Sequence, residues 1–130
     1  MKTSIKFFFA FMLSTSMICA QDLRSTMRIL SDSLKQVSSY AKSGNNGPVA
    51  LEQIIRMKEA ASESLKYLPR GINQSDTASV QKYNEVMSEL MQKSIELEVI
   101  FGTSPLNKAE ANRCIQEIND IRVKGHSLFR

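Results

Sequence analysis

The chain of 130 residues contains few of the residues that build metal and catalytic motifs: one histidine, two cysteines and no tryptophan. It has no Cys/His spacing typical of a zinc site, no glycine-rich phosphate loop and no nucleophile elbow. The common enzyme signatures are therefore missing, and we predict that the protein is not an enzyme. The carboxylate pair Glu85 and Glu89 is more typical of a solvated helix face than of a catalytic site.

The sequence also lacks a long hydrophobic run. The apolar segment Phe7–Leu13, which follows Lys2 and Lys6, is much shorter than the roughly 20 residues that span a bilayer. A basic start, a short apolar stretch and Ala20 at a cleavage position are typical of a secretory signal peptide. We predict cleavage after Ala20, export to the periplasm and no membrane insertion. Lipidation of Cys19 is a less favoured alternative.

The predicted mature chain, residues 21–130, has the length of one domain. Removing residues 1–20 takes away two lysines and no acid, which lowers the net charge from +4 to +2. Such a small charge gives no electrostatic reason to expect a nucleic-acid or membrane partner. Cys114 is the one cysteine left, so it cannot form an internal disulfide. Because it adjoins Ile115 on an apolar face, we predict that it is a small buried residue.

No segment shows the alternating pattern of a strand. Apolar residues instead recur every three or four positions, which predicts amphipathic helices. The four helical segments are 23–41, 49–67, 80–101 and 111–129. Because the connections are short, we expect an all-α, antiparallel up-down-up-down four-helix bundle. Thr103 or Ser104 is the predicted N-cap of the fourth helix, with Pro105 in its first turn.

This topology gives the single histidine a possible partner. The start of the first helix and the end of the fourth would lie at the same end of the bundle. Met27 lies about 7.5 Å of helix from Asp22, and His126 lies about 6 Å from the C-terminus, so we expect them at nearly the same depth. A thioether and an imidazole can form the axial pair of a six-coordinate haem iron. Leu65, Tyr83 and Met87 would then line an apolar pocket at that end.

Each of these two residues also has an ordinary structural interpretation. A methionine on the apolar face of a helix, such as Met27, is usually a core residue. A histidine near a helix C-terminus, such as His126, usually interacts with the helix dipole.

Three stretches of the mature chain resemble the cytochrome b562 family of periplasmic haem-binding bundles. DLRSTMRILSDSLKQV at Asp22–Val37 is similar to the first helix of that family. MKEAASESLKYLP at Met57–Pro69 is similar to the second helix and its exit, and IRVKGHSLFR at Ile121–Arg130 to the end of the chain. The resemblance covers essentially all of residues 21–130 and agrees with the bundle predicted above.

The resemblance implies that Met27 and His126 are the axial ligands of a haem iron. It also implies that Arg122 lies one turn from the histidine, near a haem propionate or the haem edge. The predicted haem contacts are Leu30, Met57, Leu65, Tyr83 and Met87. The family often has an aromatic residue at the position of Gly125, and the glycine weakens the last turn by roughly 1 kcal/mol relative to alanine.

Arg122 and Gly125 stand where relatives with covalent haem have cysteines, so we predict one noncovalent b-type haem per chain. With both axial positions taken, the expected function is electron transfer by a monomer, with redox donor and acceptor proteins that the sequence does not identify. The alternative from a different class is a haem-free exported helical bundle that acts as an interaction or chaperone module through an exposed apolar face.

Overall fold

The computed structural model describes residues 23–69 and 71–129. The predicted signal peptide and the cleavage site after Ala20 lie outside these residues. The described residues form four α-helices and no strand, so the fold is all-α. The helices are α1 (Leu23–Ser43), α2 (Pro48–Ser64), α3 (Thr77–Phe101) and α4 (Lys108–Leu128).

The connection between α1 and α2 is built around one glycine. Gly44 has a φ of 74°, a left-handed conformation that favours glycine. Its N–H donates to the Ala41 carbonyl at 3.2 Å, and the Asn45 N–H donates to the Tyr40 carbonyl at 2.9 Å. These two bonds form a Schellman motif, which satisfies the last carbonyls of α1. Pro48 then starts α2, where its fixed φ suits the first turn.

The second helix is shorter than its apolar pattern predicts, since it ends at Ser64 and not near Tyr67. The next three N–H groups bond to carbonyls three residues back, Lys66 to Glu63 at 3.0 Å among them. Pro69 disfavours the α conformation at the residue before it, so the chain tightens and leaves the helix on the approach to the proline.

The predicted N-cap of the fourth helix, Thr103 or Ser104, is wrong. The cap is Asn107, whose side chain accepts a hydrogen bond from the Glu110 N–H at 3.2 Å, and α4 begins at Lys108. The Asn46 side chain donates to the Thr103 carbonyl at 3.2 Å, which holds that residue in the connection. Asparagine is as strong an N-cap as serine, and it is the Asn107 side chain that accepts a hydrogen bond from the first turn of α4.

The four helices pack as a bundle around one hydrophobic core. Each helix contacts the next one along the chain, and α1 also contacts α4. The α1–α4 contact is the least extensive of the four. The largest fully buried side chains are Tyr83, Phe101, Leu30, Ile54, Met57, Leu90, Leu97 and Ile118. Cys114 is buried, as predicted from its place beside Ile115. Among the described residues, no helix combines the length and apolar character required to cross a membrane.

Candidate functional site

The α1–α4 seam is defined here by Met27, Ser31, Arg122 and His126, and so contains the two predicted axial ligands and the predicted propionate contact Arg122. Arg122 bridges its two walls: Nη1 donates to Ser31 Oγ at 3.0 Å on α1. Nη2 donates to Asn119 Oδ1 at 3.0 Å on its own helix. Met27 precedes Ser31 by four residues, and His126 follows Arg122 by four. Each predicted ligand therefore lies one helical turn from the bridge.

A cleft of about 310 Å³ opens beside this bridge, lined by Arg122, Val123 and His126. This volume is at the lower end of the range that small-molecule sites occupy. His126 is exposed in the last turn of α4. Met27 is half-buried and packs against the core, and it does not line the cleft. The structure therefore places the imidazole in an accessible position and the thioether on the inner side of the seam.

The Arg122 guanidinium is incompletely paired. Its Nε is buried and has no hydrogen-bond partner among the described residues. A buried donor without a partner costs about 1–3 kcal/mol, so an anionic group at this position would be stabilised. An imidazole and a thioether can ligate a haem iron, and a cation with a free donor can bind a haem carboxylate. In chemical type, the side chains of the seam are therefore compatible with the haem that the sequence predicts.

A second kind of metal site is not found in the described residues. Within 23–69 and 71–129, no three His, Cys, Asp or Glu side chains are grouped so that they could hold a metal ion.

The turn that carries His126 is held against α3. Gly125 is buried, and a Cβ added to it would lie 3.2 Å from Val86 Cγ1 and 3.9 Å from Met87 Cε. The glycine thus allows α3 and α4 to approach closely at this point. The Phe129 N–H donates to the Gly125 carbonyl at 3.0 Å, which continues the helix to the end of the turn.

Tyr83 supports the same turn from the core. Its ring lies edge-on to that of Phe129, with centroids 5.3 Å apart and planes at 77°. Its hydroxyl donates to the Ser64 carbonyl at 2.7 Å, next to Leu65 at the end of α2. Tyr83 is 1% exposed, and this burial raises its pKa to about 12. The hydroxyl therefore stays protonated throughout the neutral range and can donate its hydrogen bond to the Ser64 carbonyl.

The other predicted haem contacts lie in or beside the core. Leu30 and Met57 are fully buried, Met87 is 4% exposed, and Leu65 packs at the edge of the core. Three of the predicted contacts lie at the end of the bundle that carries His126. Tyr83 contacts Phe129, and Met87 lies near Gly125. Leu65 follows Ser64, whose carbonyl accepts the hydrogen bond from Tyr83. Met57 lies seven residues before Ser64, or about 10 Å of helix further into the bundle. None of these side chains lines the cleft beside His126.

Sequence reasoning missed two residues of this region. Ser31 was not predicted to contact Arg122, although its position one turn after Met27 places it on the same side of α1. Phe129 is the last residue of the fourth predicted segment, and the sequence gives it no role. Its contact with Tyr83 depends on how α3 and α4 pack, which periodicity alone does not give.

No protein-family model and no curated protein matches this chain. The chemistry of the α1–α4 seam is therefore the basis for assigning a function.

Proposed function

We propose that the protein is an electron carrier that binds one noncovalent b-type haem in the α1–α4 seam, with Met27 and His126 as the axial ligands. The observation that carries this proposal is the hydrogen bond from Arg122 Nη1 to Ser31 Oγ at 3.0 Å. It ties the two walls of the seam together one turn away from each proposed ligand.

The proposal requires that α1 and α4 run in opposite directions. Two contacts support this arrangement. Ser31, in the middle of α1, meets Arg122 near the end of α4. Gly44, just after α1, lies beside the Lys108 side chain at the start of α4. Moving along α1 toward its end therefore corresponds to moving along α4 toward its beginning.

The remaining helix pairs support an antiparallel up-down-up-down order. Between α2 and α3, Lys58 pairs with Glu98 at 2.9 Å, and the later Ser64 meets the earlier Tyr83. Between α3 and α4, Arg113 pairs with Glu96 at 3.1 Å, and the later Gly125 lies against the earlier Val86. A four-residue connection joins α1 to α2, as expected for antiparallel neighbours.

In this order Met27 and His126 lie at the same depth. Met27 is one turn from Ser31 toward the start of α1, and His126 is one turn from Arg122 toward the end of α4. In antiparallel helices these two steps, each about 6 Å, lead in the same direction. The bridge thus supports facing positions for the two donor side chains.

A bound haem would supply one-electron exchange between ferric and ferrous iron. Met27 offers a soft thioether, which favours the ferrous state and raises the reduction potential. His126 offers a neutral imidazole, so protons compete with the metal for it in acid. Arg122 offers its free Nε–H to a carboxylate. With Met27 and His126 both as ligands, a bound haem iron would have no position left for a substrate, and we infer electron transfer without catalysis.

The cellular setting follows from the N-terminal sequence. We propose export to the periplasm through the signal peptide 1–20, and exchange of electrons with separate donor and acceptor proteins.

Replacement of each ligand tests the assignment. His126→Ala should weaken haem binding by at least a hundredfold, since it removes the nitrogen donor. Met27→Ala should retain haem but lose the low-spin ferric spectrum and lower the reduction potential. Absorption spectra before and after dithionite, with a redox titration, give these quantities. Met91→Ala is the matched control, because Met91 is also half-buried on the edge of the core but lies on α3. An unchanged low-spin spectrum in either ligand variant would contradict the proposal.

A further inference from the structure

The outer face of α1 carries an uninterrupted row of cations. The basic stripe consists of Arg24, Arg28, Lys35 and Lys42, all of them exposed. At 100° per residue these four positions fall within about 40° of one another around the helix axis, along roughly 27 Å of helix. Asp32 is the one acidic residue of α1; it is exposed one turn from Arg28 and Lys35, so four positive charges face one negative charge on this helix. The four positive charges therefore share one surface.

Among the described residues, several cations on the other helices form ion pairs, whereas those of the basic stripe do not. Lys58 pairs with Glu98, Lys66 with Glu63, and Lys93 with both Glu96 and Glu117. Within residues 23–69 and 71–129, no carboxylate forms an ion pair with any residue of the basic stripe. Of the acidic residues on the four helices, three lie on α2, four on α3 and three on α4, against one on α1. Although the net charge is small, α1 therefore has a larger excess of basic over acidic residues than any other helix.

The adjoining edge of α4 extends the positive surface. Lys108 is exposed, and its Cε would lie 2.8 Å from a Cβ on Gly44, so its side chain lies over the end of α1. Arg122 reaches α1 at Ser31, and His126 is exposed one turn further on. The basic surface therefore borders the α1–α4 seam along its length.

We propose that the basic stripe, with the adjoining edge of α4, is the docking surface for an acidic protein partner. The stripe is about as long as the side of a standard interface, which buries roughly 800 Å² on each partner. Complementary charge steers such encounters and fixes their orientation. That the partner exchanges electrons rests on the proposed function, whereas docking at this surface does not.

A protein fits this surface better than a lipid membrane does. A helix that lies in a membrane surface needs an apolar face free to enter the lipid. The apolar face of α1 is buried in the core through Leu30, Leu34, Val37 and Ala41. The large exposed apolar residues lie on the other three helices and not on the stripe. The stripe thus offers charge without an insertion face.

Poly-L-glutamate is the probe for this surface, and the protein is purified without haem from cells that express the full chain. Binding is followed by NMR chemical shifts at ionic strengths of roughly 0.01 M and 0.15 M, where the Debye length falls from about 30 Å to about 8 Å. We expect shifts concentrated on the outer face of α1 and near Lys108, with weaker binding at the higher salt. Arg28→Gln/Lys35→Gln/Lys42→Gln should weaken binding by about tenfold or more.

The matched control is Arg56→Gln/Lys82→Gln/Lys124→Gln, which removes the same charge from exposed positions on α2, α3 and α4 that form no ion pair within the described part of the chain. It should weaken binding less than threefold or so, because only the stripe is contiguous. Circular dichroism confirms that both variants fold. Equal weakening by the two variants, or shifts spread over all four helices, would overturn the proposal.

Vesicles of pure phosphatidylglycerol form the second arm. Binding to vesicles without binding to poly-L-glutamate would overturn the proposal in favour of a lipid surface. Because no haem is present, failure here leaves the haem site untouched, and failure to bind haem leaves this test intact.

Discussion

Arg122 on α4 donates a hydrogen bond to Ser31 on α1 at 3.0 Å, across the least extensive of the four main helix–helix contacts of the bundle. The same guanidinium has a buried Nε without a partner among the described residues. The seam is thus joined by a polar bridge that is only partly satisfied. This combination suits a place where a bundle opens for a ligand more than a place where a core is sealed.

Removing the acceptor of this bridge should weaken the seam. Ser31→Ala leaves Arg122 with Asn119 as its remaining side-chain partner. We expect the free energy of unfolding to fall by about 1 kcal/mol, the usual net value of such a bond. Chemical denaturation measures this change. Ser39→Ala, at an exposed position of the same helix, is the control and should change stability by less than about 0.5 kcal/mol. Equal effects of the two substitutions would show that the bridge contributes nothing.

Gly125 should be required for the close approach of α3 and α4. In an unobstructed helix, glycine to alanine stabilises by about 1 kcal/mol. Here the new Cβ would meet Val86 Cγ1 at 3.2 Å, and valine has little rotamer freedom in a helix. We expect Gly125→Ala to stabilise by less than this amount, or to destabilise. In a Val86→Ala background the same change should recover the full gain. A double-mutant cycle by thermal or chemical unfolding measures the coupling, and additive effects would refute the contact.

Tyr83 should make the folded protein sensitive to alkali. Burial raises the pKa of Tyr83 to about 12, from an ordinary value of 10.0. Below about pH 10 the hydroxyl is protonated in both folded and unfolded chains, so this contribution to stability is fully present. It is lost as the pH rises from about 10 through about 12, because the unfolded chain loses its proton first.

Tyr83→Phe removes this alkaline dependence. It also costs about 1–2 kcal/mol at neutral pH, since the Ser64 carbonyl loses its buried donor. Unfolding curves at several pH values compare the two proteins. Cys114 contributes its own loss over a lower range in both of them, so their difference isolates Tyr83. Parallel stability profiles above pH 10 or so would contradict the assignment.

Cys114 should be unreactive while the protein is folded. Burial raises the pKa of its thiol to about 11, so little thiolate forms near neutral pH. We expect iodoacetamide to modify the native protein at least a hundredfold more slowly than the denatured chain, and no disulfide-linked dimer to form in air. Mass spectrometry of timed samples measures the reaction. Modification of the native protein at the rate of the denatured chain would show that the thiol is accessible.

Much of the fold could be predicted because helical periodicity records which side of each helix meets the core. The burial of Cys114 beside Ile115 followed from this pattern. The ends of helices are harder to predict, because several nearby residues can serve as the N-cap. In α4 the N-cap is Asn107, whose side chain accepts a hydrogen bond from the Glu110 N–H, and not Thr103 or Ser104. The site was harder to predict, because the contacts of Arg122 and Phe129 depend on how the helices pack. The small net charge gave no sign of the basic stripe. The helical spacing of Arg24, Arg28, Lys35 and Lys42 nevertheless predicts that these residues share one face of α1.

Titration of the purified haem-free protein with haem, followed by absorbance in the ferric and dithionite-reduced states, tests the central claim most directly. The account predicts saturation at one haem per chain and sharp low-spin ferrous bands, as expected for an imidazole and a thioether on iron. A protein that is folded and helical by circular dichroism but does not bind haem would contradict it. The bundle would then serve as a haem-free interaction module.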